Sequence, residues 1–244
     1  MKEVTVTVES IGDYLAVISQ KKADYRPGSV LQDVVFRGQV GDFPLMPKIC
    51  RLKAKEDFLQ AEQQMLDEFK RSNPLLIQPH DAMDDWDYLT LGQHFGLPTR
   101  LLDWSNNALT ALWFAVSTNR ELHGQAPPSG IVWMLMAVED DFVTDMRNIH
   151  PFDVSETKIF RPRLIKQRIN NQSGAFTIHS SADILEKRPL NETDRYNKKL
   201  VKMEIPPDKI PDLRNDLNTL GVHAFSIFPE LEGLCTYLQW RFFE

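Results

Sequence analysis

Leu89-Thr90-Leu91-Gly92-Gln93-His94-Phe95-Gly96-Leu97-Pro98-Thr99-Arg100-Leu101-Leu102-Asp103-Trp104-Ser105 lies one asparagine before Asn107-Ala108-Leu109-Thr110-Ala111-Leu112-Trp113-Phe114-Ala115-Val116. The second stretch is apolar nearly all round, which predicts a deeply buried helix. The first is crowded with charged and hydrogen-bonding side chains. Its Gly96 and Pro98 stop a helix expected over Trp86 to Phe95. A polar, kinked loop seated on a buried helix presents functional groups on a rigid support.

Upstream of this segment, Glu56 to Arg71 reads as an amphipathic helix. Phe58, Leu59, Met65, Leu66 and Phe69 share one face, with Glu62, Asp67, Lys70 and Arg71 elsewhere. Val34-Val35-Phe36 predicts a short strand ending in Arg37-Gly38-Gln39, and Asp42 to Pro47 is irregular. Val4, Val6 and Val8 alternate with threonines, as in an edge strand or extended arm, and Ser10 can cap a short helix around Tyr14 to Gln20. Downstream, the apolar run Ile131 to Val138 is the candidate central strand. Gly174 to Ile178 and Leu200 to Ile205 are further strands. A helix over Asp208 to Leu220 ends at Gly221, Ala224 to Phe228 reads as the last strand, and Leu231 to Trp240 is a closing helix with Leu234, Cys235 and Leu238 on one side. Short strands in irregular order with clustered helices predict a mixed α+β fold with largely antiparallel short-strand sheets, not a doubly wound parallel sheet. The expected organisation is a single domain over 1–244, with 1–30 as an N-terminal extension and 31–244 as the core.

Composition narrows the function. The chain has 244 residues and a formal net charge of −6, so bulk attraction to nucleic acid is not expected. Cys50 and Cys235 are far apart and outside any CxxC pattern, which predicts two reduced, core-packed thiols in a cytoplasmic protein. Met1 to Ser10 alternates and carries acid, unlike a secretory signal. No apolar run approaches the roughly 20 residues that span a bilayer, so no membrane partner is expected. The six histidines lack metal-ligand spacing, and no metal is expected. Neither GxGxxG, a Walker loop nor a GxSxG elbow is present, which disfavours kinase and serine hydrolase chemistry.

Several residues carry candidate chemistry. Arg37 at a strand end, beside Gly38 and Gln39, can hold phosphate or carboxylate, or form a structural ion pair. Gly38 would let a ligand approach the backbone closely. His94, Arg100 and Asp103 can form an ion network; alternatively His94 caps a helix and Arg100 pairs with Asp103 to hold the loop. Trp104 offers an aromatic face for a base or nicotinamide, or is a core aromatic. The segment Lys158 to Arg168 has five basic residues and no acid, as in a phosphate-binding patch or a solvated face. Gln172 can orient a ribose or a water, or belong to a turn. Glu230 and Glu232 follow Phe228-Pro229 and can simply open the last helix, where acids suit the dipole.

Phe36-Arg37-Gly38 and the segment Gln93 to Ser105, with the apolar helix behind it, resemble the FRG-domain family. The similarity continues through Gln172-Ser173-Gly174-Ala175-Phe176 and through Ile227 to Gly233. More distantly, the chain resembles ADP-ribosyltransferases of the Arg–Ser–Glu type. Arg37 matches their first position, and Trp104-Ser105 followed by Phe114-Ala115 looks like the second. Gln172 stands where those enzymes carry Glu, so a transferase here needs another carboxylate: Asp103, Glu230 or Glu232.

This resemblance implies an ADP-ribosyltransferase-like fold and NAD as co-substrate. Arg37 would clamp the pyrophosphate, and Gly38, Gln39 and Ser105 would line the cofactor site. His94 and Thr99 would contact adenosine or ribose, Trp104 would stack on a ring, Arg100 and Asp103 would set the loop, and Gln172 or Glu230 would face the breaking bond. It also implies a macromolecular acceptor, protein or nucleic acid. Such a domain suits a toxin or anti-phage effector silenced by an antitoxin or inhibitor protein. The alternative is a non-catalytic nucleotide- or partner-binding module. A carboxylate close to Arg37 in space distinguishes the enzyme; a satisfied polar pocket suffices for the module. An RNA-binding role for Lys158 to Arg168 is a third expectation.

Overall fold

A computed structural model describes residues 5–25, 31–72, 83–117, 128–163 and 174–243. The strands are β1 (Thr5–Thr7), β2 (Leu31–Gln39), β3 (Leu101–Ser105), β4 (Gly130–Val138), β5 (Lys158–Phe160), β6 (Gly174–Ile178) and β7 (Leu200–Ile205). They form one seven-stranded sheet in the order β1-β7-β4-β2-β3-β6-β5. Every neighbouring pair is antiparallel except the parallel edge pair β1–β7. The helices are α1 (Ile11–Asp24), α2 (Phe58–Ser72), α3 (Asp85–His94), α4 (Ala108–Val116), α5 (Ser181–Leu185), α6 (Ile210–Thr219), α7 (Ala224–Ile227) and α8 (Leu231–Phe243). The mixed α+β class is therefore correct, but β2 and β4 are long, at nine residues each. No described helix is long and apolar enough to cross a membrane.

β4 is buried along its whole length because it has a core on each face. Val132, Met134 and Met136 face α1, α4 and α6, with Tyr14, Leu112, Leu213 and Leu217. Ile131, Trp133 and Leu135 join Leu45, Leu102, Trp104, Leu190 and Tyr196 on the other side. At the far end of the sheet, α2 and α3 contribute Leu66, Trp86 and Leu89 to a third core over Leu101, Phe160, Phe176 and Ile178. Residues 5–24, expected as an extension, are built into the fold: β1 completes the sheet and Val8 and Tyr14 are fully buried.

The weakest join in the sheet lies between β2 and β3. They share a single registered pair, Phe36 opposite Ser105, whereas β2 pairs with β4 nearly end to end. Helix α4 covers the β2 side of this seam. It sits unusually low because Gly38 and Gly130 leave room for its backbone. A Cβ on Gly38 would lie 1.8 Å from the Ala111 carbonyl oxygen, and one on Gly130 would lie 2.7 Å from that of Ala115. Gly38 thus serves helix-on-strand packing and also lines the cavity over the seam. Gly38→Ala must lift α4 from the sheet, an overpacking cost of about 3 kcal/mol that a chemical denaturation curve would register.

Three further expectations are corrected. Ala224 to Phe228 is not a strand; Ala224–Ile227 is a one-turn helix whose His223 ring accepts from the Ser226 amide and caps it. The closing helix does not bury Leu234, Cys235 and Leu238 together. It packs through Gly233, the only buried residue of α8, and Tyr237 stacks on His223 at 4.2 Å. Cys235 is consequently exposed, while Cys50 is buried and its thiol is pushed up to about 11 by burial.

Candidate functional site

A cavity of about 350 Å³ opens over the β2–β3 seam, between α3 and α4. Its floor is Phe36, Arg37, Asp103, Ser105, Gly174 and Phe176. Thr90, Gln93 and His94 come from α3, Ala111 and Phe114 from α4, and Phe228 closes one side. The helix expected over Trp86 to Phe95 ends at His94 and turns at Gly96, whose φ is +88°. The chain then re-enters as β3. This reversal brings Gln93 and Asp103 together across the loop.

Arg37 and Asp103 form the polar centre. In the β2–β4 register Arg37 lies opposite Trp133, yet its guanidinium reaches across the seam. Its Nη1 donates to the Asp103 carbonyl oxygen at 2.7 Å and lies 3.6 Å from the Asp103 carboxylate. Burial lowers the Arg37 pKa, Asp103 opposes that shift, and Arg51 reinforces it. Arg37 Nε is buried and has no hydrogen-bond partner. The Asp103 carboxylate, 56% exposed, is held from one side by Gln93 Nε2 at 3.0 Å. Gln93 is held in turn by the Thr99 hydroxyl, which donates to Oε1 at 2.6 Å and accepts from the Leu101 amide. Thr99 therefore orients Gln93 from a buried position and is not part of this cavity's lining; the expected contact with adenosine or ribose is not available to it here. Thr90, fully buried, lines the cavity with a hydroxyl that has no partner.

Other expected site residues stand elsewhere. Arg100 does not pair with Asp103. It is 1% exposed and makes a two-pronged bond to Glu62, at 2.9 and 2.5 Å, with its guanidinium 4.5 Å from the Phe152 ring. Glu62, assigned to a polar face of α2, is on the buried face. Gln39 is buried and accepts from the Trp133 indole at 3.1 Å. Trp104 is a core aromatic, 3% exposed, and only its edge is part of the cavity lining. Ser105 lines the cavity and its hydroxyl accepts from the Asn107 amide at the start of α4. Glu230 is exposed, and its carbonyl accepts from Leu234 at the start of α8. Gln172 lies outside the described residues, although Gly174, two positions on, lines the cavity. Within Lys158 to Arg168, the described basic residues have acidic partners: Lys158 bonds Asp140, Arg161 bonds Asp33, and Arg163 bonds Asp84 and Asp87. Leu164 to Arg168 lie outside the described residues.

Behind β3, a buried chain holds the strand that carries Asp103. The Trp104 indole donates to Thr177 Oγ1 at 3.2 Å, and that oxygen lies 3.3 Å from His179 Nε2. The Thr177 hydroxyl thus joins the Trp104 indole to the His179 ring. Burial depresses the His179 pKa to about 3; Asp183 opposes this, and the charges of Arg100 and Arg37 reinforce it. In the unfolded chain the ring titrates near 6.5. The unfolded state then binds the extra proton between these values, so this stabilisation is complete above pH 6.5 and is lost as pH falls toward 3. The slope is at most about 1.4 kcal/mol per pH unit. His179→Gln is expected to flatten the decline of Tm with pH in that window; an unchanged decline would remove His179 as its source.

The sequence reading gave no site role to Thr90, Phe114, Phe176 or Phe228, nor to Glu62, the partner of Arg100. Thr90 and Gln93 are three apart on α3 and so share a face, a signal present in the sequence. Glu62 carries none beyond an acid on an amphipathic helix.

Residues 32–123 match the family model of the FRG domain. This span runs from β2 past the end of α4 and contains most of the cavity wall. The chain carries an FRG domain, as Phe36-Arg37-Gly38 and the Gln93 to Ser105 segment indicate. Among curated proteins and solved structures, none matches the chain.

Proposed function

We propose that this protein is an ADP-ribosyltransferase-like enzyme that takes NAD as co-substrate and modifies a macromolecule, protein or nucleic acid. The observation that carries this reading is the Asp103 carboxylate, 3.6 Å from the Arg37 guanidinium in one cavity. A carboxylate near Arg37 is what a transferase with Gln172 in place of Glu requires.

In this reading Arg37 faces the pyrophosphate with the guanidinium end that stands beside Asp103. The bond from ribose C1′ to the nicotinamide nitrogen breaks, and its electron pair leaves with nicotinamide. Positive charge builds on the ribose, where Asp103, aimed by Gln93, lowers its energy. A nucleophilic atom of the acceptor bonds to C1′ and gives up its proton to a base. His94, at the cavity edge, is a candidate for that base. Phe36, Phe114, Phe176 and Phe228 form an apolar wall suited to flat rings. A role as a toxin or anti-phage effector, restrained by an inhibitor protein, belongs to the same proposal.

A second reading has its own support. The Arg37 charge is already offset by Asp103, which suits a non-catalytic module that binds a neutral ligand. Nicotinamide release from NAD, measured with purified protein and cell lysate as acceptor, separates the two. Release with label on a macromolecule establishes the transferase. Absence of release with lysate present favours the module.

A further inference from the structure

We infer that the mouth of the Arg37 cavity is a docking surface for a single-stranded nucleic acid, carried by Lys48, Arg51, Lys53, Lys55 and Phe95. As a binding surface it stands by itself. As the place where an acceptor is held it rests on the transferase reading above, and it makes nucleic acid, not protein, that acceptor.

The charge comes first. Lys48-Ile49-Cys50-Arg51-Leu52-Lys53-Ala54-Lys55 holds four cations and no acid, in a chain whose net charge is −6. All four cations are exposed. Among the described residues no acidic side chain forms an ion pair with any of them. Other surface cations are paired: Lys70 with Asp85, Arg163 with Asp84, Arg195 with Asp140, and Lys202 with Asp42. Asp57, just beyond the run, is engaged at the start of α2, where it accepts from the Gln60 amide at 2.9 Å. Four neighbouring cations without counter-charge repel one another, and a chain of phosphates relieves that repulsion.

The run is fixed beside the cavity. Its first half is a 3-10 turn, Lys48–Arg51, whose Ile49 and Cys50 are buried with Ile184 and so hold the flanking cations in place. Lys48 Nζ donates to the Gly96 carbonyl at 3.0 Å, at the turn that follows His94 of the cavity wall. Arg51 is close enough to Arg37 for its charge to lower the Arg37 pKa. Phe95, between His94 and Gly96, is 58% exposed, and the His94 ring meets it edge-on at 5.0 Å. An exposed aromatic beside a row of cations gives a base a face to stack on while the phosphates meet the charges. A duplex keeps its base faces stacked on one another, so Phe95 selects a single strand.

The test is fluorescence anisotropy of labelled single-stranded RNA and DNA with the full chain, without NAD, over a series of salt concentrations. Binding is expected, with a slope of log affinity against log salt of about −3, since each phosphate neutralised on a single strand contributes about −0.7. Arg51→Gln with Lys53→Gln and Lys55→Gln should reduce the slope by about 2. Phe95→Ala should weaken binding at least about fivefold and leave the slope unchanged, because stacking releases no counterions. Arg71→Gln, at the far end of α2 and paired with Glu68, should alter neither quantity. Tighter binding of one strand identifies RNA or DNA as the source, and equal binding means that phosphates and bases alone are read. The proposal is overturned by absence of binding at low salt, or by a duplex or an oligoglutamate that binds as tightly as the strand. Full slope in the triple variant, or full affinity in Phe95→Ala, overturns it as well. Strand binding without nicotinamide release in the earlier assay counts against the NAD reading alone; release without strand binding counts against this inference alone.

Discussion

Glu62→Ala is expected to destabilise the protein by about 3–5 kcal/mol, because it strands a guanidinium that has lost its water. Arg100 and Glu62 are each 1% exposed at the side chain, and two hydrogen bonds join them. The remaining neighbours of Arg100 Nη1 are the Phe152 and His179 carbonyls and the Ser181 hydroxyl, all at 3.4 Å, too long to replace a carboxylate. The loss is a large share of the 5–15 kcal/mol that a domain typically holds. Removing both charges with groups of similar shape, as in Glu62→Leu with Arg100→Met, should recover most of it, since no orphan charge remains. Urea denaturation of the three proteins decides the matter. Equal losses in the single and double variants would show that packing, not charge, is what Glu62 contributes.

Arg37→Ala and Asp103→Asn are expected to lower nicotinamide release from NAD by about a hundredfold or more each, the usual loss when an aimed electrostatic contact is removed. Neither residue is deeply packed on the Asp103 side, so both variants should keep their fold. Asp103→Asn is the sharper of the two. Its amide can still meet Gln93, but it carries no charge to face the ribose. If Asp103→Asn retains full activity and Arg37→Ala does not, the carboxylate has been assigned wrongly and residues near Gln172 become the candidates. Gln93→Ala should fall between, with kcat reduced more than KM is raised, because Gln93 aims Asp103 and does not itself carry charge.

The elements were legible where the chain repeats one instruction. The apolar run over 131–138 is β4, Ser10 caps α1 through the Asp13 amide, and Asn107 caps α4. Tertiary choices were less legible. Ala224 to Phe228 looks like a strand by composition, yet the His223 cap turns Ala224–Ile227 into a helix. Arg100 and Asp103 are near neighbours in a charged loop, so pairing them is the local expectation. In the β3 region they diverge, and the partner of Arg100 comes from α2, thirty-eight positions earlier. No local pattern announces such a pairing. The site was legible as a segment but not as an assignment of roles: Thr99 and Gln39 are buried supports, while Thr90, Gln93 and four phenylalanines line the cavity.

The single registered pair between β2 and β3 makes the sheet two plates that meet along a crease. One plate is β1-β7-β4-β2 and the other is β3-β6-β5, with β4 falling between β3 and β5 in the chain. Anything lodged above the crease touches both plates and acts as a rivet. Occupancy then tightens the whole sheet, and amide protons on Phe36 and Ser105 become gauges of whether the cavity is filled.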